Sequence, residues 1–453
     1  MVSFHVRMSY PAPPQRSSNC SPVATMIVRV VALALVASLG LAQSFNSNGD
    51  EQLRVYIEQA LERNPAVRQA FSRYRAAQQK MPQVSALPDP VLTLTQYLRA
   101  PETRVGPQWT MVSLSQKFPW FGKLSDREKI AAKEAAILRE QYEAQQDEVI
   151  RQVKLAYYTL AYIDAAITIT QEDLELLGHY ETLAQARYSQ GVGLQQAVVK
   201  LQAEITRALN RLDELEIQRV NAEAALNRLL DRPARSPISR ITLAEQPEVK
   251  IDYKGLLAVG RRNRPEVVAA LLGIEKNEKR IQLARRSYWP DFTLGASFLN
   301  VTGRTDRPGV VNPPPDNGKN VWAITVGANI PIWRRKYDAA VLEATEDKLA
   351  AKEGYRDIVN GVEAAVRSIG FRIETIAEQI KLFEDTLLPQ AEQSLRSAEA
   401  AYSTGTLGVL DLLDSERVLL NVRLGLAQLE SEFMKSLADM ERAIGAPFPE
   451  VRK

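Results

Sequence analysis

The chain has 453 residues, of which 25% are charged and 7% aromatic. This composition is typical of long, solvated helices and argues against a large aromatic core. Residues 1–42 hold three arginines and no acidic residue, and without that segment basic and acidic residues are equal in number. A neutral chain gives no electrostatic reason to expect nucleic acid as a partner.

Residues 1–42 have the pattern of a secretory signal peptide. Arg29 supplies a positive charge ahead of the apolar run 30–39, and small residues stand at the −3 and −1 positions of a cleavage site after Ala42. The apolar run is too short for a membrane-spanning helix. We therefore expect cleavage after Ala42. The alternative is a retained N-terminal anchor.

The composition also argues against most catalytic and metal-binding chemistry. The only cysteine, Cys20, lies in the predicted signal peptide, and His179 is the only histidine that follows it. The mature chain therefore lacks a thiol for nucleophilic catalysis or lipid attachment, and it lacks a Cys/His metal cluster. A phosphate-binding glycine loop is also missing. We expect no enzymatic activity, no cofactor and no metal centre.

Three short motifs occur twice in the same order, so the chain is a duplicated half-molecule and not a solenoid of short repeats. A Pro-Asp strand entry, a Pro-containing strand exit and a Tyr-Ser-x-Gly turn occur at 87–90 and 289–292, at 118–123 and 330–335, and at 188–191 and 402–405. The predicted domains are the signal peptide 1–42, the first repeat 43–230, a crossover 231–253, the second repeat 254–445 and a tail 446–453. We expect the crossover to pack, because apolar residues such as Ile238 and Ile241 anchor it.

Four runs rich in β-branched and aromatic residues predict strands. They cover residues 91–98, 109–118, 292–301 and 321–330. Each has about the length of a tilted transmembrane strand, which is ~9–11 residues. In the last run Trp322, Ile324 and Val326 share one face. The alternative is a pair of hairpins on a soluble domain, because the signal of a membrane strand is weak.

Helices account for most of the remaining chain. A first helix is expected at 51–84, with an interruption at Pro65. No proline occurs between Trp120 and Arg232, and apolar residues from 149 to 177 are spaced alternately by four and three. That spacing predicts a left-handed antiparallel coiled coil.

The coiled coil is expected as one helical hairpin in each repeat. The first hairpin joins a helix at 123–188, about 100 Å long, to a return helix at 195–230. The second joins 337–402 to 410–444. Pro389 predicts a kink or a loosened turn, because proline removes one backbone hydrogen bond.

Four membrane strands cannot close a barrel within one chain, and open strand edges are not tolerated in lipid. If these strands span a membrane, several subunits must share one barrel. Three copies would supply twelve strands, which is within the known range. The long helices cannot lie in the same bilayer, so they must project from it and pack as a tube.

These motifs resemble those of the TolC-like outer-membrane efflux proteins, the outer component of tripartite efflux pumps. The most specific string is 402–414, Tyr-Ser-Thr-Gly-Thr-Leu-Gly-Val-Leu-Asp-Leu-Leu-Asp. The resemblance implies a homotrimer with a twelve-stranded barrel shared in the outer membrane and a periplasmic tunnel of coiled-coil helices. It also implies two partners, a periplasmic membrane-fusion adaptor and an inner-membrane pump.

The cargo is less well defined. The string Phe-Pro-Trp-Phe-Gly-Lys at 118–123 most resembles the branch that serves heavy-metal resistance-nodulation-division pumps. The alternatives are a type I secretion conduit or a multidrug efflux conduit. A soluble periplasmic coiled-coil scaffold belongs to a different class, and it leaves the signal peptide and the duplicated strands unexplained.

The resemblance also implies a gate at the periplasmic tip. Asp411 and Asp414 match its acidic rings and are three residues apart, which places them on one helix face. The alternative is an ordinary acidic helix N-terminus. In the family, an arginine near the second turn bonds an acidic residue of the first repeat and helps to latch the tip. The resemblance places these two positions at Leu407 and Ala197, which cannot form that link, so closure must differ in detail. The turns expected to contact the adaptor are Gly191, Val192, Gly193 and Leu194, and Gly405, Thr406, Leu407 and Gly408.

Overall fold

The computed structural model describes residues 48–243 and 246–448, so the predicted signal peptide lies outside the described residues. The first repeat contains α1 (Asn48–Arg63), α2 (Pro65–Ser85), β1 (Val91–Gln96), β2 (Gln108–Phe118), α3 (Lys123–Ser189) and α4 (Gln195–Leu229). The second contains α5 (Tyr253–Asn263), α6 (Pro265–Arg286), β3 (Phe292–Val301), α7 (Arg307–Val311), β4 (Val321–Ala328), α8 (Arg334–Leu382), a π-helical turn (Phe383–Leu387), α9 (Leu388–Thr404) and α10 (Val409–Ile444).

The four strands form one antiparallel sheet in the order β1-β2-β3-β4. All four predicted strands are confirmed, although β1 and β4 each end two residues earlier than expected. The central pair β2 and β3 joins the two repeats, with Phe118 opposite Phe292. Within the described residues the outer edges of β1 and β4 have no strand partner.

The sheet exposes large apolar side chains. On β4, Ile324 is 81% exposed, and Trp322 and Val326 are nearly as exposed. On β1, Leu92 and Leu94 are also exposed. Contiguous apolar surface of this kind marks contact with lipid or with another protein surface. None of the helices in the described residues is long and apolar enough to cross a membrane.

The loops between the strands differ in the two repeats. The predicted irregular loop of the second repeat contains the short helix α7, which the sequence did not suggest. The loop between β1 and β2 contacts the loop between β3 and β4 at Gly106, whose φ is 120°. A Cβ there would lie 1.8 Å from the carbonyl oxygen of Thr302, so only glycine allows this approach.

The long proline-free helix is confirmed as α3, which has 67 residues. It begins at Lys123, the last residue of the strand-exit motif, and the residue before it, Gly122, has a φ of 83°. A Cβ on Gly122 would lie 2.6 Å from Arg286 Nη1. The glycine therefore lets Arg286 reach the buried carboxylate of Asp126, over 2.5 Å between Nε and Oδ2. This ion pair joins α3 to α6.

The corresponding long helix of the second repeat is interrupted. The chain passes from α8 through the π-helical turn into α9, which has Pro389 at its second position. The loosened turn predicted for Pro389 is confirmed, and it lies immediately before the proline. Its Phe383 ring packs against Gly425 of α10, where a Cβ would be 3.0 Å from the ring.

The helices pack through several apolar clusters along their length. The helix α3 contacts α2, α4, α6 and α10, and α10 also contacts α8 and α9. The crossover between the repeats is packed, as predicted, because Ile238 and Ile241 are buried against α1, α3 and α4. Tyr253 and Ile251 pack with α8 and α10 in a separate cluster. Each helical hairpin is therefore held to the other along its length.

Candidate gate and adaptor-contacting tip

The two tip turns, residues 191–194 and 405–408, have the same backbone geometry. In each turn two consecutive amides donate to one carbonyl, five and six residues earlier, which closes the end of the long helix. The donors and acceptors are Val192 and Gly193 with Arg187, over 3.1 and 3.0 Å, and Thr406 and Leu407 with Ala401, over 3.0 and 3.2 Å. The duplication seen in the sequence is thus preserved at the level of single hydrogen bonds.

Both turns depend on a glycine in the left-handed region. Gly191 has a φ of 74° and Gly405 a φ of 82°. A Cβ on Gly405 would also lie 2.7 Å from Nη2 of Arg187, so the end of that side chain would have to move. Two features of the sequence, the Tyr-Ser-x-Gly motifs, therefore mark the positions where each hairpin reverses.

Behind the turns lies an apolar cluster that we call the tip core. It contains Leu177, Tyr180, Ala184, Val198, Leu201, Ala208, Ala391, Leu395, Ala398, Tyr402, Val409, Leu412, Leu413 and Leu419. These residues come from α3, α4, α9 and α10, so the tips of the two hairpins form one four-helix unit. Burial of this cluster holds the start of α10 against the first repeat.

Asp411 and Asp414 are both exposed, on the side of α10 opposite the tip core. Between them, Leu412 is 0% exposed and Leu413 is also buried. The predicted shared face is therefore present. Asp411 lies in the first turn of α10, where a carboxylate is favoured by the helix dipole. Asp414 lies further along the helix, so that effect does not account for it.

The tip turn at 191–194 and the start of α10 also present apolar side chains to solvent. Val192 and Leu194 are largely exposed, and Leu410 of the second hairpin is about half exposed. Leu407 and Ala197, by contrast, pack against the tip core. The two positions at which the sequence resemblance places the family's latch therefore make apolar contacts here.

The family model for outer membrane efflux proteins matches residues 56–232 and 257–446, which is most of the chain. The chain belongs to the outer membrane efflux protein family. This confirms the resemblance drawn from the sequence motifs, and it assigns the protein to the cell outer membrane with a helical extension in the periplasm. Within this family the chain acts as an outer-membrane efflux channel component.

Individual relatives agree with this assignment. Nodulation protein T of Rhizobium leguminosarum bv. trifolii is 24% identical over 425 residues, 89% of this chain and 87% of that protein. The outer membrane protein TolC of Vibrio cholerae is 21% identical over 329 residues, 70% of this chain and 72% of that protein. The structure of the V. cholerae outer membrane protein VceC superposes with a TM-score of 0.71 at 21% identity, covering 88% of this chain and 97% of that one.

In this efflux protein a different arginine links the two hairpins. Arg187, at the end of α3, donates from Nη1 to the carbonyl of Tyr402 at the end of α9. The same guanidinium lies 5.3 Å from the centroid of the Tyr402 ring. Sequence reasoning missed Arg187, although it directly precedes the first Tyr-Ser-x-Gly motif.

Further ion pairs connect the hairpins along the tip. Arg417 of α10 pairs with Glu204 of α4. Arg423 of α10 lies 3.2 Å from a carboxylate oxygen of Glu172 on α3. No sequence motif pointed to these pairs, because their partners are more than 200 residues apart in the chain. In the described residues no three potential ligands among His, Cys, Asp and Glu are grouped as a metal site.

One polar pair at the tip is buried. Glu416 of α10 is 3% exposed, and its Oε1 has no hydrogen-bond partner among the described residues. Asp173 of α3 lines the same cavity of about 50 Å³. Burial, together with a hydrogen bond to Asp173, raises the pKa of Glu416 to about 9. Glu204 raises this pKa further and Arg417 opposes the shift.

This pair predicts that the tip is more stable in acid. The packed state holds a proton on Glu416 that a solvated carboxyl releases above its ordinary pKa of 4.5. The free energy that this proton contributes to packing at the tip is therefore fully present below pH 4.5. It is lost as pH rises toward about 9, by at most about 1.4 kcal/mol per pH unit.

Hydrogen exchange of residues 409–422 should show protection that falls from pH 6 to pH 8. In Glu416→Gln this extra pH dependence should vanish, whereas exposed Glu378→Gln should behave as wild type. Equal pH profiles for wild type and Glu416→Gln would contradict the assignment.

Proposed function

We propose that three copies of this chain form a passive duct, which carries substrate from a periplasmic adaptor and an inner-membrane pump across the outer membrane. The observation that carries the proposal is the sheet, whose two outer edges are unpaired among the described residues while its faces expose large apolar side chains. In lipid those edges must be paired, and further copies of the same chain offer matching edges. Three copies supply the twelve strands of a closed barrel.

The proposal places Asp411 and Asp414 around the opening at the periplasmic end. Threefold symmetry would bring two carboxylates from each subunit to a narrow constriction. Such a ring attracts cations and repels anions. The support is the exposure of both carboxylates on the face of α10 that points away from the tip core.

The same proposal assigns the tip turns to the adaptor. The first turn exposes Val192 and Leu194, and the second is followed by the half-exposed Leu410. Apolar side chains at the end of a helical hairpin suit a partner that packs helix ends against it. The turns at 191–194 and 405–408 would then be the adaptor-contacting residues.

We propose that the duct does not select its cargo. The string at 118–123, which favours the heavy-metal branch, makes local contacts that require no cargo. Trp120 stacks on Trp289 with ring centroids 4.9 Å apart, and Lys123 binds Asp291. A duct of this kind would carry heavy-metal cations, drugs or secreted proteins according to the pump that loads it.

Native mass spectrometry of the full-length protein, purified in detergent from outer membranes, should give the mass of three subunits. The reason is that four strands per chain leave two edges that lipid cannot satisfy. As a control, urea-unfolded protein should give only the monomer mass. A folded, membrane-extracted monomer would contradict the shared barrel and with it the proposed duct.

A further inference from the structure

A polar contact joins the two repeats within the chain, and the equivalent contact at the outer edges of the sheet is not made among the described residues. Asp291, from the second Pro-Asp motif, accepts hydrogen bonds from the Trp120 amide over 2.9 Å and from Lys123 Nζ over 2.7 Å. Both donors belong to the strand-exit motif of the first repeat. The start of β3 is therefore fastened to the end of β2, where the chain leaves the sheet for α3.

In the part of the chain that the structure describes, the aspartate of the first Pro-Asp motif makes no such contact. By the duplicated motifs, Asp89 corresponds to Asp291, and Arg335 corresponds to Lys123. Asp89 and Arg335 are both exposed, and the structure gives neither a hydrogen bond nor an ion pair among the described residues. By comparison, the side chain of Lys123, which is bound to Asp291, is only 7% exposed.

The topology explains why this second contact is absent. In the sheet β2 is next to β3, so the strand exit of the first repeat lies beside the Pro-Asp motif of the second. The strand exit of the second repeat follows β4, and the first Pro-Asp motif precedes β1. These strands are the two outer edges, so no single chain can bring the motifs together.

We propose that Asp89 of one subunit binds Arg335 of its neighbour and so reproduces the Lys123–Asp291 contact at each junction between subunits. The partner is a second copy of this chain, and the proposal rests on the proposed trimeric duct. Charge favours it, because a carboxylate and a guanidinium would each gain a partner. Apolar surface favours it too: Leu87 and Ile332, which correspond to the stacked Trp289 and Trp120, are both well exposed.

The same correspondence fixes the register of β4 against β1 of the neighbour. Inside the chain Leu114 is opposite Ala296. Transferring that pair through the repeat places Val326 opposite Leu94. Directly opposed residues on antiparallel strands have Cα atoms about 4.5–5.5 Å apart, which lies within the range of about 4.4–6.8 Å that a disulfide spans.

Cysteine cross-linking tests the register, because Cys20 lies in the predicted signal peptide and no other cysteine exists in the chain. In a chain carrying both Leu94→Cys and Val326→Cys, oxidation of membranes should give covalent dimers and trimers in high yield. The diagonal pair Leu94→Cys and Ile324→Cys should give clearly less, because diagonal neighbours are about 7–8 Å apart, beyond the Cα separation that a disulfide spans without backbone movement. A higher yield for the diagonal pair would overturn the register.

Charge substitution tests the ion pair. Asp89→Asn and Arg335→Gln should each speed subunit exchange between differently tagged trimers several-fold, and the double variant should exchange no faster than the faster single variant. The reversed pair, Asp89→Arg with Arg335→Asp, should restore slow exchange. Arg334→Gln is the matched control, because the Arg334 guanidinium already lies 5.7 Å from the Tyr288 ring of its own chain.

Loss of the trimer and loss of the Asp89–Arg335 ion pair give different results in these experiments. Wild-type protein that shows no trimer would remove the duct itself. A wild-type trimer whose exchange rate is unchanged in both Asp89→Asn and Arg335→Gln would leave the duct intact and overturn the ion pair. Additive effects of the two substitutions, without recovery in the reversed pair, would also overturn it.

Discussion

Replacing both Asp411 and Asp414 by asparagine is expected to remove most of the cation preference of the channel in planar bilayers. A carboxylate about 10 Å from a permeating monovalent cation stabilises it by about 0.4 kcal/mol in water-like surroundings. Two rings of three carboxylates then contribute on the order of 2 kcal/mol before salt screening, which is roughly a thirtyfold preference for the cation. The expected result is a cation-to-anion permeability ratio that falls toward unity, together with weaker block by multivalent cations added on the periplasmic side.

Single substitutions of Asp411 and Asp414 distinguish a role in ion selectivity from the ordinary stabilisation of a helix N-terminus by an acidic residue. Asp411 lies in the first turn of α10, so Asp411→Asn should also cost about 0.3–1 kcal/mol of helix stability. Asp414→Asn should change selectivity without that loss. Asp213→Asn, an exposed carboxylate on α4 away from the tip, should change neither property. Normal selectivity in the Asp411→Asn and Asp414→Asn double variant would mean that these acids do not line the opening.

Lys123→Met is expected to destabilise the junction between the sheet and α3 by about 3 kcal/mol. The ammonium group is almost fully buried and binds the Asp291 carboxylate over 2.7 Å and the Trp289 carbonyl over 2.8 Å. Removing one partner of a buried ion pair leaves the other charge without compensation, which costs about 3–5 kcal/mol. We expect the lower end of that range, because Lys117 stays within 3.3 Å of the other Asp291 oxygen.

Lys117→Met provides a control at the same carboxylate. Its side chain is 53% exposed, and an exposed ion pair contributes at most about 1 kcal/mol. The measurement is the free energy of unfolding from urea titration of detergent-solubilised protein, followed by tryptophan fluorescence, since Trp120 and Trp289 stack at this junction. Equal losses in the two variants would show that burial does not control the strength of this ion pair.

Much of the fold could be predicted from the sequence because its signals are local. Strand runs end at proline and glycine, and the coiled-coil spacing reports which face of a helix is buried. The β3 strand was predicted at both ends, and α3 and α4 to within one residue. A kink or loosened turn at Pro389 was also predicted, because the missing amide of proline acts on its own helix, and the structure shows it as a π-helical turn. The short helix α7 was missed, since five residues in a loop rich in proline and glycine carry no periodicity.

The candidate site was predicted only in part. The tip turns and the shared face of Asp411 and Asp414 follow from motifs and from helical spacing. The link from Arg187 to Tyr402 does not, because the two residues are 215 positions apart. A motif indicates that each hairpin reverses at a glycine, but it does not indicate which side chain of one hairpin reaches the backbone of the other.

The sequence by itself thus determined the duplication, the strands, the long helices, the turns and the absence of any cysteine after Cys20. Each of these depends on the conformational preference or chemical identity of residues close together in the chain. Only the tertiary structure decided that Lys123 meets Asp291, that Asp173 and Glu416 share a buried cavity, and that Asp89 and Arg335 have no polar partner among the described residues. Those facts depend on which helices and strands become neighbours, and packing sets that arrangement through apolar contacts that many other sequences would satisfy equally well.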